Sequence, residues 1–271
     1  MSRVAKLLRV GLDTGCGGGL GPIWPDRFFE YIPIPEFSRP MYTGNNRTPP
    51  KGLDTYSSMR CRNAERGVFL SAFVPRRISG ETVHHDPEFE TCTYGDCTGK
   101  AKQLAKLQPE DLLVFYAGLR THRDHQPHQR SNLRFTQTGL YIIGHLTVME
   151  VVDFTKMFLN SIASLAAIQN YPNNAHIRSY RARKDARFLE GLVLVAGDPA
   201  RSRLLRKAIP ISRLSRDKTG KPLHVVSYKM QRLLGIKGSI QRSVPIRTIT
   251  DPECLYNLEQ LILGNILEGG K

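Results

Sequence analysis

The sequence predicts an α+β protein: a mixed, mostly antiparallel sheet, or a partly open barrel, with flanking helices. Three observations carry this expectation. Apolar runs of strand length recur at residues 111–117, 140–152 and 192–196, enriched in β-branched side chains. Two segments, 155–169 and 252–267, carry apolar residues at helical spacing instead. These elements follow one another in irregular order, with no internal repeat and no low-complexity tract, which does not suit a regular βαβ alternation.

Taken in order, residues 7–13 read as a first strand that ends in a glycine-rich loop, and residues 28–34 as a second, stopped by Pro33 and Pro35. Residues 38–66 are polar and rich in Pro, Gly and Asn, as in a long excursion over the surface. A short apolar run follows at 67–74, then helical spacing at 99–106. The central strands at 111–117 and 140–152 come next, the second interrupted by Gly144 in a way that suggests a bulge. A helix over 155–169 should end at Tyr171-Pro172, and a strand over 192–196 at Gly197-Asp198-Pro199. The terminal helix has Pro252 in its first turn and Asp251 in position to cap it. We expect a core over residues 1–200 and a basic C-terminal extension, 201–271, packed on it or continuous with it.

The composition is that of a soluble globular chain: 40% of its 271 residues are apolar and 23% charged. No apolar run approaches the ~18 residues of a membrane span, and the basic start lacks the apolar stretch of a secretory signal, so a cytoplasmic setting is expected. Five scattered cysteines do not make a secreted disulfide framework. The net charge of +15 is unevenly placed. Between Arg178 and Arg247 there are 18 Lys or Arg against 4 Asp or Glu, a net +14, whereas the rest of the chain holds 21 against 20. Such asymmetry points to a polyanionic partner. A membrane-binding segment would pair its bases with tryptophan and phenylalanine, but the single tryptophan, Trp24, lies far from this stretch, so nucleic acid or a nucleotide is the expected partner.

The first 36 residues carry three carboxylates, Asp13, Asp26 and Glu36, in a segment dominated by Gly and Pro. Stiff turns of this kind hold side chains in place without a long conformational search, as a site requires. They also serve as ordinary turn caps. His85-Asp86 adds an imidazole beside a fourth carboxylate, though adjacent positions seldom point the same way.

The string Gly11-Leu12-Asp13, Gly18, Pro22-Ile23, Pro25-Asp26 and Ile32-Pro33-Ile34-Pro35-Glu36 resembles the nucleotide modification associated domain, third family. Further similarities follow in order: His85-Asp86-Pro87-Glu88, shifted by one residue, Asp111-Leu112 with Phe115, Ile143-Gly144, and Asn174-Ala175-His176-Ile177. The resemblance covers about residues 8–200 and implies a role beside nucleic-acid base modification, without fixing a reaction. Thr14-Gly15-Cys16 stands where the family has a Ser-rich turn, and the basic stretch after Arg201 has no counterpart in it. The strand pair at 111–117 and 141–151 is also similar to that of PUA-like domains, including the ASCH and EVE groups, which is a likeness of fold alone.

Asp13, Asp26, Glu36, His85 and Asp86 are therefore the candidate catalytic set. They could supply proton transfer to a base or nucleotide, and a divalent cation is the cofactor that carboxylate oxygens would take. His84, His85, Cys92 and Cys97 offer zinc-ligand types at a loose spacing, with ordinary free cysteines or a local disulfide as the simpler readings. His122, His125 and His128 recur every third residue, but Pro127 breaks any helical face, so an exposed polar loop is expected. The candidate phosphate contacts are Arg178, Arg181, Arg183, Lys184, Arg201, Arg203, Arg206 and Lys207. No nucleotide-binding loop of the Walker or Rossmann type, kinase signature or hydrolase elbow is present. Two functions remain open: a protein of nucleic-acid or nucleotide modification with an acidic N-terminal pocket, or a non-catalytic PUA-like module reading modified or structured nucleic acid.

Overall fold

The computed structural model describes residues 3–36, 50–63, 67–122, 137–158, 161–241 and 246–268. Its axis is a pair of long antiparallel strands, β6 (Leu112–Thr121) and β7 (Thr138–Asp153). Around them an open, mixed sheet of eight strands forms. β1 (Ala5–Arg9) and β2 (Gly21–Ile23) run parallel to β6, and β12 (Arg247–Ile249) closes the edge against β1. On the other side β7 pairs with β8 (Val193–Gly197) and β9 (Arg203–Pro210), and β5 (Thr93–Asp96) pairs with β8. Two ribbons lie outside the sheet: β3 (Ile34–Pro35) with β4 (Val83–His84), and β10 (Ser212–Arg216) with β11 (Pro222–Val226). Among the described residues five α-helices complete the α+β fold: α1 (Ala101–Leu104), α2 (Ile162–Asn170), α3 (Ala175–Arg183), α4 (Tyr228–Leu234) and α5 (Pro252–Glu268).

The alternation along β6 explains why its sequence is continuously apolar: both faces are covered. Leu113, Phe115 and Ala117 enter one cluster with Phe89, Tyr94 and Leu104, while Leu112, Val114 and Tyr116 enter another with Met230, Leu234 and Leu258. The bulge expected near Gly144 is present. Phe115 pairs with Gly144 but Tyr116 with Ile142, leaving Ile143 as the extra residue. That one residue reverses the side-chain parity of β7, so Ile142 faces one cluster and Leu146 the other. Glycine is required at 144 by close approach: a Cβ there would sit 2.6 Å from the Phe89 ring.

Several elements differ from the sequence reading. Residues 28–34 form no strand; Phe28 and Phe29 make single bridges and only Ile34–Pro35 pairs, because Pro33 and Pro35 cannot donate to a ladder. The apolar run at 67–74 is a 3-10 turn (Leu70–Ala72). The segment expected as one helix over 155–169 splits into a 3-10 turn (Phe154–Lys156) and α2. Two caps compete here: Asp153 accepts from Thr155 N–H and Ser161 from Ser164 N–H, and each begins its own turn. Asp251 does cap α5, accepting from Cys254 N–H at 2.9 Å. His125 and His128 lie outside the described residues. No helix among those described is long and apolar enough to cross a membrane.

Candidate functional site

Three segments meet beside the edge strand β5. The β3–β4 ribbon brings His84, the turn after it brings Asp86, and the first turn of α3 brings His176. Local sequence explains each placement. Ile34 pairs with His84, and the His84 carbonyl accepts from Asp86 N–H at 2.9 Å, so the chain turns sharply between them. Asn174 is fully buried and caps α3, its side chain accepting from His176 N–H at 3.1 Å. Gly95 on β5 admits the imidazole: a Cβ there would lie 2.7 Å from His176 Cδ2. The Gly95 N–H in turn donates to both Asp86 carboxylate oxygens, at 3.1 and 2.9 Å.

The ligand atoms of His84, Asp86 and His176 all lie within 4.8 Å of one another. Asp86 Oδ2 is 3.8 Å from His84 Nε2 and 3.7 Å from His176 Nε2. Those distances are too long for hydrogen bonds, so the three groups face a common point without bonding to each other. Burial pushes the His84 imidazole down to about 4, and burial together with neighbouring His84 takes His176 to about 3, so both rings are neutral near pH 7. Burial also raises the Asp86 carboxyl well above its usual range. No Lys or Arg forms an ion pair with Asp86 among the described residues. Among the described residues, this set has the donors to hold a metal ion.

Above this floor lies a cavity of about 310 Å³, walled by Arg9, Asp13, Tyr94, Asp96 and Lys100. Lys100 pairs with Asp96 at 3.0 Å, and Tyr94 O–H donates to the same carboxylate. Burial opposes ionisation of Asp96, but Lys100 and hydrogen bonds from Thr98 outweigh it and hold the carboxyl below its ordinary value. A second cavity of about 290 Å³ shares His84 and His176 and is walled by Glu36, Arg187 and Phe188. Glu36 is buried there against Ser179 Oγ and the Arg183 guanidinium, the latter at 2.9 Å.

Of the residues the sequence singled out, Asp13 and Asp86 line the first cavity and Glu36 the second. Asp13 also caps the glycine loop, accepting from Gly15 and Cys16 N–H at 2.8 and 2.6 Å, and pairs with Arg9 at 3.3 Å. Asp26 is exposed and accepts from Phe28 N–H, away from both cavities. His85 points the opposite way from His84, into a separate cavity with Glu30 and Arg62. Cys97 lines the same cavities as His84, whereas Cys92 is buried beneath Phe89 and Ser202. His176 was legible only as a similarity block, and its Asn cap two residues earlier was the local signal that it begins a helix.

Most of the basic candidates have partners within the chain, although Arg181, Lys184, Arg201 and Arg206 remain exposed. Arg178 holds Asp54, Arg181 the Ile168 carbonyl, Arg183 Glu36, Arg201 both Glu110 and Asp198, and Arg203 the Ala200 carbonyl. Lys184 takes the left-handed cap position of α3. Arg206 and Lys207 sit over the Phe28 ring, 5.3 and 5.6 Å from its centroid.

Against known proteins, residues 5–239 match the family described as nucleotide modification associated domain 3. The chain belongs to this family. The match runs past the range read from the sequence and takes in the β10–β11 ribbon and α4. No curated protein and no solved structure matches the chain. The family description ties the chain to nucleotide modification and leaves the reaction open.

Proposed function

We propose that this protein acts on a nucleotide or on a base of nucleic acid, and that the chemistry takes place over the His84–Asp86–His176 floor. The observation that carries the reading is the mixture of groups on one cavity: carboxylates of Asp13, Asp86 and Asp96, cations of Arg9 and Lys100, and the Tyr94 ring. Carboxylates accept from base amino groups, cations take phosphate, and an aromatic wall suits a base. The volume lies at the lower end of those that enclose small ligands. In this reading Asp13 orients substrate from the glycine loop, Glu36 supports the second lobe, and Asp26 and His85 stand apart. A cytoplasmic setting goes with it.

Polyanion binding belongs to the exposed cations beyond residue 205. From Arg206 to Gln241 there are nine Lys or Arg and one acid, Asp217. Arg216, Lys218 and Lys221 are exposed on the β10–β11 ribbon, and Arg213 stacks 4.2 Å over the exposed Tyr228 ring. An exposed aromatic stacked against a guanidinium suits single-stranded nucleic acid.

The test is binding of labelled DNA and RNA oligonucleotides and of nucleoside monophosphates, with turnover read by mass. Oligonucleotide affinity should fall by roughly 10³ between 50 and 200 mM salt if six phosphates are neutralised. The triple change Arg216→Ala, Lys218→Ala, Lys221→Ala should weaken it for every sequence alike. Lys100→Ala should cost monophosphate binding about tenfold and leave oligonucleotide capture by the ribbon intact. Binding of modified bases with no mass change in any substrate would instead make the protein a reader. No binding of nucleotide or oligonucleotide would sink the reading.

A further inference from the structure

We propose that His84, Asp86 and His176 bind one divalent first-row transition ion at the floor of the cleft, with its remaining coordination positions open to the cavities. The donor set decides the class of ion. Two imidazoles with one carboxylate suit zinc, iron, cobalt or nickel, whereas magnesium and calcium take oxygen shells. Three protein ligands with open positions are the arrangement of a reactive centre; structural zinc sites are closed by four.

The geometry is that of a site poised to contract. Bonds of about 2.1 Å at tetrahedral angles separate donor atoms by about 3.4 Å. The observed 3.7 and 3.8 Å need a few tenths of an ångström of closure, and the widest donor separation, within 4.8 Å, needs at most about 1.4 Å, a shift within reach of side-chain rotation. The rings meet edge to face with centroids 4.7 Å apart, so neither blocks the common point. Outer-shell support is in place. Gly95 N–H holds the Asp86 carboxylate, and Asn174 fixes the His176 main chain.

Charge gives an independent reason. Asp86 is 6% exposed, and among the described residues no Lys or Arg forms an ion pair with it. A carboxylate so placed is costly unless a cation accompanies it. A divalent ion would satisfy the carboxylate and both ring lone pairs at once. His84 and His176 line both cavities, so the open positions would face substrate from either lobe.

This inference deepens the reading of the cleft as a nucleotide-modifying site and rests on it for the ion's role, though not for its binding. The test uses the full chain stripped with chelator and titrated with Co²⁺ without nucleotide. One equivalent should bind, with a visible d–d band and no thiolate charge-transfer band. Zn²⁺ should displace it, whereas millimolar Mg²⁺ should not. His84→Gln and His176→Gln should each weaken binding at least about 100-fold, and Cys97→Ser should leave it unchanged. Should the glutamine variants not fold, the Co²⁺ form of the parent still decides: its proton spectrum should show two paramagnetically shifted imidazole N–H signals. No uptake at millimolar Co²⁺, uptake indifferent to both histidines, displacement by Mg²⁺, or a charge-transfer band lost in Cys97→Ser would each overturn the proposal. Nucleotide binding by a chain that takes up no metal would overturn it and leave the function standing. Metal uptake by a chain that binds no nucleotide or oligonucleotide would do the reverse.

Discussion

The two lobes of the cleft share His84 and His176 but treat buried acid in opposite ways. In the second lobe Glu36 has a guanidinium and a hydroxyl as partners, and Asp185 pairs with Arg187 at 2.8 Å. In the first lobe Asp96 has Lys100 and Asp13 has Arg9, but Asp86 has one backbone N–H and two neutral rings. A buried carboxylate paired within the chain closes a structure. One left without a cation offers a seat to something that is not part of the chain.

The largest expected effect comes from breaking the closed lobe. Glu36 is 4% exposed in its side chain and Arg183 18%, so Arg183→Met should strand a buried charge and lower unfolding stability by about 3 kcal/mol. Urea denaturation would measure this, and adding Glu36→Gln should recover most of the loss. A change below about 1 kcal/mol would mean that the second lobe is as wet as a surface and that the contrast fails.

Next comes Gly95, which touches both sides of the comparison. Gly95→Ala places a Cβ 2.7 Å from His176 Cδ2 and 2.9 Å from Leu192 Cδ1, and should cost about 1–3 kcal/mol. It should also move the imidazole and lower Co²⁺ affinity more than the stability loss alone accounts for. An unchanged Co²⁺ affinity would detach His176 from the site.

Asp86→Asn should do the opposite of the Arg183 change. Asparagine keeps an acceptor for Gly95 N–H and removes a carboxyl whose ionisation burial disfavours, so thermal unfolding of the metal-free chain should occur at the same or a higher temperature. A clear fall would show that Asp86 is a structural anion after all. The smallest effect is expected at Arg201. It joins Glu110 and Asp198 on an exposed surface, with its side chain 48% exposed, and Arg201→Ala should leave the melting temperature unresolved from the parent.

Several parts of this molecule were legible in the order of residues because the governing physics is local. The runs at 111–117, 140–152 and 192–196 are strands since both faces of the sheet are covered, and Gly144 marks a bulge because Phe89 packs against its backbone. Asp251 caps a helix by the same short-range hydrogen bond that the sequence suggests. The Gly/Pro block around Asp13 and Glu36 did carry a cleft wall. Less legible were residues 154–170, where two capping side chains divided one apolar pattern, and the basic stretch, where charge count could not tell paired from free. Arg183 illustrates the second difficulty: its partner, Glu36, lies 147 positions away in the chain.

By itself, then, the sequence determined the fold class, the strand axis and the excess of positive charge, each of which depends on composition or on neighbours within a few positions. Only the tertiary structure decided which histidine faces the cleft. His84 and His85 are adjacent, and the side-chain alternation of an extended chain sends one to Asp86 and the other away. The partner ring, His176, comes from a helix start 92 residues after His84, brought near because a glycine at 95 leaves room for it. Closure over such a distance is a property of packing, which no local pattern encodes.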